Sequence, residues 1–506
     1  MSVLAPERVE RPRTGRRVRK VMLVFPPMRQ VTRQMKLALP PLGISYIAAV
    51  LRDRYDLELL DASVEGFHQE RKLARGVIVF GLSRGQIRER IERARPDVVG
   101  ASCIFSTAYP ECQMILDVAK EVDPDMVTVM GGNHPTFLAE QVLAETPSCD
   151  YIVRGEGEYV MLELLEAIEK GRELRLVRGI AFRNRGQVVL TPDAPLRDDL
   201  DKIPFPARDL LPMERYFDIS TGHSGAAISR RASTMLTSRG CPSRCTFCSS
   251  TVFWGNSYRV RSPENVLTEM VLLKERYGVS EIQIEDDNYT VVKSRVQEIC
   301  RGMVERKLDI AWSLPNGVAV WTLTEPMLDD MKASGCYELL LAFESGSQRV
   351  LKEIVKKPLH LDRARKTVEY IQKIDIRTSS TFIVGFPGES LAEMKLTTDL
   401  AIRLDLDFAF YFVANPLPGT AMYRKCVELG LVSKDYDFAN NNYFRAHFST
   451  SDWSARQVER MAKKAFIKFL LFKLLHHPWR FTRRYRVHFR HPVLLAKLVW
   501  GKFFGR

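Results

Sequence analysis

Short apolar runs, most rich in β-branched residues, recur along this 506-residue chain with helix-like segments between them. The first is Val21-Met-Leu-Val-Phe25, stopped by Pro26-Pro27; Leu42 to Leu51 then carries a helix-like pattern introduced by Pro40-Pro41. Further runs stand at Leu57–Leu60, Val98–Ile104, Val127–Met130 and Tyr151–Val153. Strands that are apolar on both faces need cover on both, which a parallel sheet with crossover helices supplies. Residues 21–170 are therefore expected to form an α/β domain built on a doubly wound parallel sheet. Residues 171–230 lack strong periodicity, hold the turn-rich segment Asp199–Pro206, and read as a linker. From 231 to 425 the alternation restarts, with strands expected at Thr234–Thr237, Glu281–Glu285, Ala311–Leu314, Glu338–Phe343, Ser379–Val384 and Phe408–Val413. Six such units predict a partial (βα)6 or closed barrel with function at the C-terminal strand ends. The alternation fades after Tyr423, and residues 426–506 form an extension with a helical, basic, apolar tail.

The length asks for two domains rather than one core. The net charge of +14 belongs to the two ends: residues 455–506 hold fourteen Lys/Arg against Glu459 alone, and residues 1–20 hold seven against Glu7 and Glu10, which leaves the body at −4. Basic ends attract phosphate, on nucleic acid or on anionic lipid. Most of the nine cysteines stand singly in apolar stretches, as Cys103, Cys300 and Cys336 do, which suits a reducing cytoplasm better than a disulfide framework. No apolar run follows the Arg-rich N-terminus directly, and none reaches eighteen residues, so a cytoplasmic protein without a spanning helix is expected.

One cysteine group is tight. Cys241-Pro-Ser-Arg-Cys245-Thr-Phe-Cys248 has the spacing CxxxCxxC, directly after the strand expected at Thr234–Thr237. Three thiolates on one loop can grip one metal centre, and pairing two of them would leave an odd thiol. Zinc normally brings a fourth protein ligand at a recognisable spacing, and no CxxC or HxxxH follows. Iron–sulfur clusters take Cys thiolates, and three ligands on four irons leave one iron open. Three incidental or zinc-binding thiols are the alternative reading.

With Phe247 before its last cysteine, this loop resembles that of the radical S-adenosylmethionine (SAM) superfamily. The resemblance implies a 4Fe–4S cluster on Cys241, Cys245 and Cys248 whose free iron chelates the amino and carboxylate groups of SAM. It implies reductive cleavage of SAM to methionine and a 5′-deoxyadenosyl radical. By the same resemblance, Glu285, Asp286 and Asp287 end the second strand where the family binds the SAM amino group, a task that suits carboxylates. The common Gly-Gly-Glu is absent here, so the three acids remain alternatives, and a solvated acidic loop is the competing reading. Asn316 and Glu344 end the third and fourth strands, where the family contacts ribose or carboxylate; Glu344 could equally be a buried acid paired with an Arg. Ile383 and Gly385, in Phe382-Ile-Val-Gly-Phe-Pro-Gly-Glu389, resemble the adenine-backing motif. Asn415-Pro-Leu-Pro-Gly-Thr420 ends the sixth strand as in the cobalamin-linked branch.

The N-terminal domain resembles the Rossmann-like cobalamin-binding module upstream of many radical SAM cores. The resemblance rests on Leu39–Ala49, Val99-Gly-Ala-Ser102, Val129-Met-Gly131-Gly132-Asn-His134-Pro135 and Arg154-Gly155-Glu-Gly-Glu158. Ser102, Gly131, Gly132 and Gly155 are the positions it implies for contact with cobalamin, since glycines after strands let backbone lie close to a large flat ligand. The family's DxHxxG cobalt-ligand motif is absent; Asp61-Ala-Ser-Val-Glu-Gly66 stands in its place. His134 is read as a loop-packing histidine in preference to a cobalt ligand.

In the tail, Lys464 and Lys468 share a helical face while Lys473 falls opposite Lys464, so the helix is not cleanly amphipathic. Two readings stay open: peripheral membrane contact with snorkelling lysines, or a terminal helix packed on the barrel. The resemblance as a whole implies a cobalamin-dependent radical SAM methyltransferase, with a radical SAM oxidoreductase or cyclase, such as the anaerobic cyclase of magnesium-porphyrin synthesis, as the alternative. The implied partners are a small-molecule or lipid-linked substrate and an external electron donor such as flavodoxin or ferredoxin. Nucleic acid is disfavoured, because no aromatics interleave with the N-terminal arginines.

Overall fold

The computed structural model of the protein describes residues 15, 17–31, 35–73, 76–223 and 227–480. Most of the basic arm expected over residues 1–20, and the tail beyond Arg480, lie outside the described residues. The chain divides into two compact units, one of residues up to 30, 41–198 and 203–213, the other of 31–40, 199–202 and 214 onward.

The first unit is built on seven strands: β1 (Lys20–Phe25), β2 (Asp56–Asp61), β3 (Val98–Ser102), β4 (Val127–Gly131), β5 (Tyr151–Val153), β6 (Ile180–Asn184) and β7 (Gln187–Leu190). Their order is β7-β6-β5-β4-β3-β1-β2. The strands from β1 to β5 are parallel, with Val21 opposite both Leu57 and Val98. Helices α1 (Leu42–Leu51), α2 (Tyr109–Val122) and α3 (Gly157–Lys170) cover them. In α2, Pro110 occupies the first turn and Cys112, Ile115, Leu116 and Ala119 form one buried stripe. Two features depart from the sequence expectation. Residues 180–190 are not linker: β6 and β7 form an antiparallel hairpin that extends the sheet beyond β5. Arg185 and Gly186 turn it with φ of 51° and 78°, both left-handed, as a two-residue hairpin requires. A separate three-stranded sheet of Met28–Val31, Val77–Phe80 and Glu70–Lys72 was likewise not anticipated.

The second unit holds six strands in one sheet, in chain order: β8 (Ala232–Met235), β9 (Glu281–Ile284), β10 (Ala311–Val318), β11 (Cys336–Glu344), β12 (Arg377–Val384) and β13 (Phe408–Val413). All adjacent pairs are parallel. The first and last strands do not pair, so the sheet is open and the closed barrel is excluded. Its free edge at β13 is covered instead: Val413 N donates to the Tyr443 carbonyl (2.8 Å). Helix α4 (Leu391–Arg403) packs on β12 and β13, and α5 (Ala455–His476) packs beside it on β13, with the Phe466 and Phe469 rings edge-on to Phe408. Ser454 and Gln457 form a capping box at the start of α5. Lys473 is fully buried and pairs with Asp405 (2.8 Å), whereas Lys464 is exposed, as the helical spacing predicts. This helix packs on the sheet. No helix among the described residues is long and apolar enough to cross a membrane.

Candidate functional site

The cysteine loop leaves the end of β8 through Ser238–Arg239, which pair with Arg259–Val260. Gly240 follows at φ 88°, and a Cβ there would collide with the Ser257 carbonyl, so only glycine carries the chain into the loop. Both sides of the loop are pinned: Thr246 N donates to Val355 O (3.0 Å), and Met422 N donates to Thr246 O (2.9 Å). Cys241, Cys245 and Cys248 are all free thiols, Cys245 buried and the other two half-buried. Burial pushes the Cys245 thiol up to about 11, opposed chiefly by the Lys357 ammonium, and pushes Cys248 up to about 12. Asn288 Nδ2 donates to Cys241 Sγ (3.8 Å). Among the described residues no three His, Cys, Asp or Glu side chains are gathered tightly enough to hold a single metal ion. The Phe247 ring lies 5.8 Å from that of Phe386, which joins the cysteine loop to the Gly385 motif.

The three acids after β9 have separate fates. Asp286 is buried and accepts from Thr237 N (2.6 Å), Thr237 Oγ1 (2.5 Å) and Ser238 Oγ (2.5 Å), so its carboxylate braces the β8 end. Thr237 is occupied in this brace, which is why β8 ends at Met235 and not at Thr237 as expected. Asp287 accepts from Gly240 N (3.3 Å), at the root of the cysteine loop. Glu285 pairs with His223 Nδ1 (2.8 Å), and its carbonyl accepts from Asn316 Nδ2 (2.6 Å). Against the lowering effect of burial, the Glu285 carboxylate holds the His223 imidazole above its ordinary value.

Glu344 is buried in an ion pair with Lys357 Nζ (3.0 Å) and accepts from Thr381 Oγ1 (3.3 Å); the partner is a lysine, not the expected arginine. A register shift between Ala342 and Glu344 and a φ of 63° set the carboxylate at the strand end. Ile383 stands half-buried opposite Phe412. Gly385 has φ 88°, and a Cβ there would lie 2.9 Å from Val458 of α5, so this glycine admits the C-terminal helix. Glu389 closes the motif by accepting from Gly385 N (2.8 Å) and Phe386 N (3.0 Å), and burial pushes it up to about 8.

In the first unit, Ser102 and Gly131 are paired at the ends of β3 and β4. Gly132 has φ 108°, and a Cβ there would lie 2.6 Å from the Cys103 carbonyl; its glycine is required by the crossing of two backbones. Gly155, at φ 72°, has nothing within 4 Å of its Cβ direction and faces open space. The Asp61 carboxylate caps a short helix, accepting from Ser63 N, Ser63 Oγ and Val64 N. Gly66 would collide with the Gly81–Leu82 backbone if it carried a Cβ. His134 is buried against Tyr109, with Nδ1 3.0 Å from Ser106 Oγ, and burial lowers its pKa to about 4.

A model of the B12 binding domain matches residues 28–165, and one of the radical SAM superfamily matches residues 235–401. Cytidylyl-2-hydroxyethylphosphonate methyltransferase of Streptomyces wedmorensis is 34% identical over 490 residues, 91% of this chain and 91% of that protein. The chain belongs to the cobalamin-binding branch of the radical SAM superfamily. Anaerobic magnesium-protoporphyrin IX monomethyl ester cyclase of Rubrivivax gelatinosus is also similar, at 32% identity over 80% of this chain and 69% of that one. Among solved structures, the radical SAM methyltransferase TsrM of Kitasatospora setae shares the fold, with a TM-score of 0.65, 18% identity, and coverage of 81% of this chain and 76% of that one.

As a cobalamin-binding radical SAM enzyme, this protein uses a 4Fe–4S cluster, SAM and cobalamin. The donor sets fit them. Three free thiols with the Asn288 amide and the Lys357 ammonium nearby suit an anionic thiolate-ligated cluster. Open space at Gly155 suits a ligand laid against backbone. Sequence reasoning missed Lys357, His223 and Tyr443, whose phenol is pushed up by burial and by the Cys248 thiol. Only Lys357 left a trace, as the second of the two lysines that follow the segment Val350–Val355.

Proposed function

We propose that this enzyme methylates an unactivated carbon of a small-molecule substrate, and that Cys241, Cys245 and Cys248 are the cluster ligands. The free, pinned cysteine loop between β8 and the Gly385 motif carries this reading. When bound, the cluster and SAM supply a carbon radical, and cobalamin supplies the methyl group. The chain's own residues hold and orient. Lys357 offsets negative charge beside Cys245, and Glu344 fixes Lys357. Phe247, backed by the fully buried Phe386 ring, and the half-buried Ile383 offer apolar surface to a flat ring. Glu285 or Asp287 would hold a SAM ammonium, with Asn316 fixing the Glu285 backbone and Asp287 set at the root of the cysteine loop. Ser102, Gly131 and Gly155 offer backbone to the cobalamin, with Gly132 shaping the turn; His134, neutral and packed on Tyr109, does not serve as a ligand.

Flavodoxin or ferredoxin is the electron donor in this reading, the enzyme is cytoplasmic, and its basic C-terminal region touches membrane, where a lipid-linked substrate would be met. Nucleic acid is not a partner. The second reading is a radical SAM cyclase or oxidoreductase, favoured by the similarity to the magnesium-protoporphyrin ester cyclase. Turnover of methyl-deuterated SAM with extract metabolites, read by mass spectrometry, separates the two. Methyl transfer predicts a deuterated product with S-adenosylhomocysteine and 5′-deoxyadenosine in equal amounts. Deoxyadenosine with an unlabelled product would contradict it.

A further inference from the structure

Helix α5 presents two chemistries along its outward face. The inward stripe of Val458, Ala462, Ala465, Phe469 and Lys473 is buried. At 100° per residue, Arg456, Arg460 and Lys464 fall opposite that stripe and all three are exposed, whereas Lys468 sits at its flank and pairs with Asp399 (2.7 Å). The same outward line then turns apolar: Leu471 is 48%, Leu474 51% and Leu475 74% exposed. Three exposed leucines at one helix tip form an apolar patch of the kind that marks an interaction surface.

The tip is held rigidly in this orientation. Lys473, His477 and Arg480 converge on Asp405, at 2.8, 3.2 and 2.5 Å, and Arg480 also pairs with Asp407 (2.8 Å). A buried lysine with its carboxylate partner fixes the rotation of the helix, so the leucines cannot turn inward without stranding a charge. Beyond the tip, residues 481–506 contain seven Lys/Arg and no carboxylate, with Phe481, Tyr485, Phe489, Trp500, Phe503 and Phe504 among them. An apolar tip that continues a cationic helix face matches the layered chemistry of an anionic bilayer, with acyl chains under phosphate.

We propose that the C-terminal tip of α5, through Leu471, Leu474 and Leu475, inserts into the headgroup boundary of an anionic lipid surface, with the cations Arg456, Arg460 and Lys464 of the same helix face drawn to its phosphates. This narrows the membrane contact of the preceding section to one helix face and is independent of the chemistry at the cluster. Co-sedimentation of the full chain with vesicles of phosphatidylcholine alone, or with one quarter phosphatidylglycerol, tests it. SAM cleavage measured on the same samples keeps failure of the reaction distinct from failure of the anchor. The expected result is binding to the anionic vesicles, weakened at high salt, and little binding to the neutral ones. The triple variant L471Q/L474Q/L475Q, altered only at exposed positions, should bind at least about ten-fold more weakly with cobalamin content and SAM cleavage unchanged. Leu475→Gln alone should lie between.

Vesicle binding unaffected by the triple variant would overturn the proposal. So would a dimer, seen in sedimentation equilibrium, that the leucine changes dissociate in the absence of any vesicle binding, because a second copy would then be the occupant. RNA binding indifferent to the leucines, with vesicles ignored, would overturn it as well.

Discussion

Two strand-end loops of this enzyme stand where side chains could grip a cofactor, and they spend their polar atoms differently. The loop after β8 leaves three thiols uncommitted, and its own backbone is pinned by Val355 and Met422. The loop after β2 spends both its acids within the protein: Asp61 caps the next turn with three hydrogen bonds, Glu65 pairs with Arg90, and Gly66 is pressed against the Gly81–Leu82 backbone. The first is built to bind through side chains, the second to be shape. On the reading proposed above, cobalamin is held without a ligating histidine at this position, by surface and backbone such as the open face at Gly155, and the two units bind by different physics.

The largest break in this comparison comes from Cys245→Ala. It should abolish the cluster's visible absorption and reduce deoxyadenosine formation to background, while cobalamin retention by the first unit persists. Next, Lys357→Met strands the buried Glu344 carboxylate and should destabilise the second unit by about 3–5 kcal/mol, read by chemical denaturation of the apoprotein. The double variant E344Q/K357M should recover most of that loss, since no charge is left unpaired.

The first unit carries a pH dependence of its own. His134 titrates near 4 when folded against an ordinary 6.5, so the folded state binds fewer protons. Stability should be constant above pH 7 and fall as pH drops from 6.5 toward 4, by about 3 kcal/mol in all. His134→Gln should flatten that slope in denaturation curves taken across the window. Smallest is Asp61→Ala, which loses a helix cap and should cost about 1 kcal/mol with cobalamin still bound. Loss of cobalamin from a folded Asp61→Ala protein would show that the second loop binds through its side chain after all.

Much of the parallel architecture was legible because buried parallel strands are rich in apolar residues: β1, β3, β4, β5 and β13 are largely apolar runs, and β2, β9, β10, β11 and β12 carry shorter apolar stretches between turn-rich segments. The β6–β7 hairpin was not, since its apolar stretches Ile180–Phe182 and Val188–Leu190 are three residues each, separated by the polar turn 183–187, and lie outside the strand–helix alternation. The open sheet edge was hidden for a different reason: closure depends on pairing between distant strands, and Tyr443 covers β13 through a main-chain carbonyl, which side-chain identity does not encode. At the site, the cysteine spacing was legible because it is local. The division among Glu285, Asp286 and Asp287 was not, because it is decided by Thr237, Ser238 and His223, all distant in the chain. Lys473 shows the converse: helical spacing alone placed it opposite Lys464, and it is buried there on Asp405.

The most direct measurement is anaerobic reconstitution of the full chain with iron, sulfide and hydroxocobalamin, followed by mass analysis of the products formed from SAM under reductant. The expected outcome is 5′-deoxyadenosine together with one cobalamin retained per chain. Absence of SAM cleavage in protein that carries iron and sulfide would contradict it.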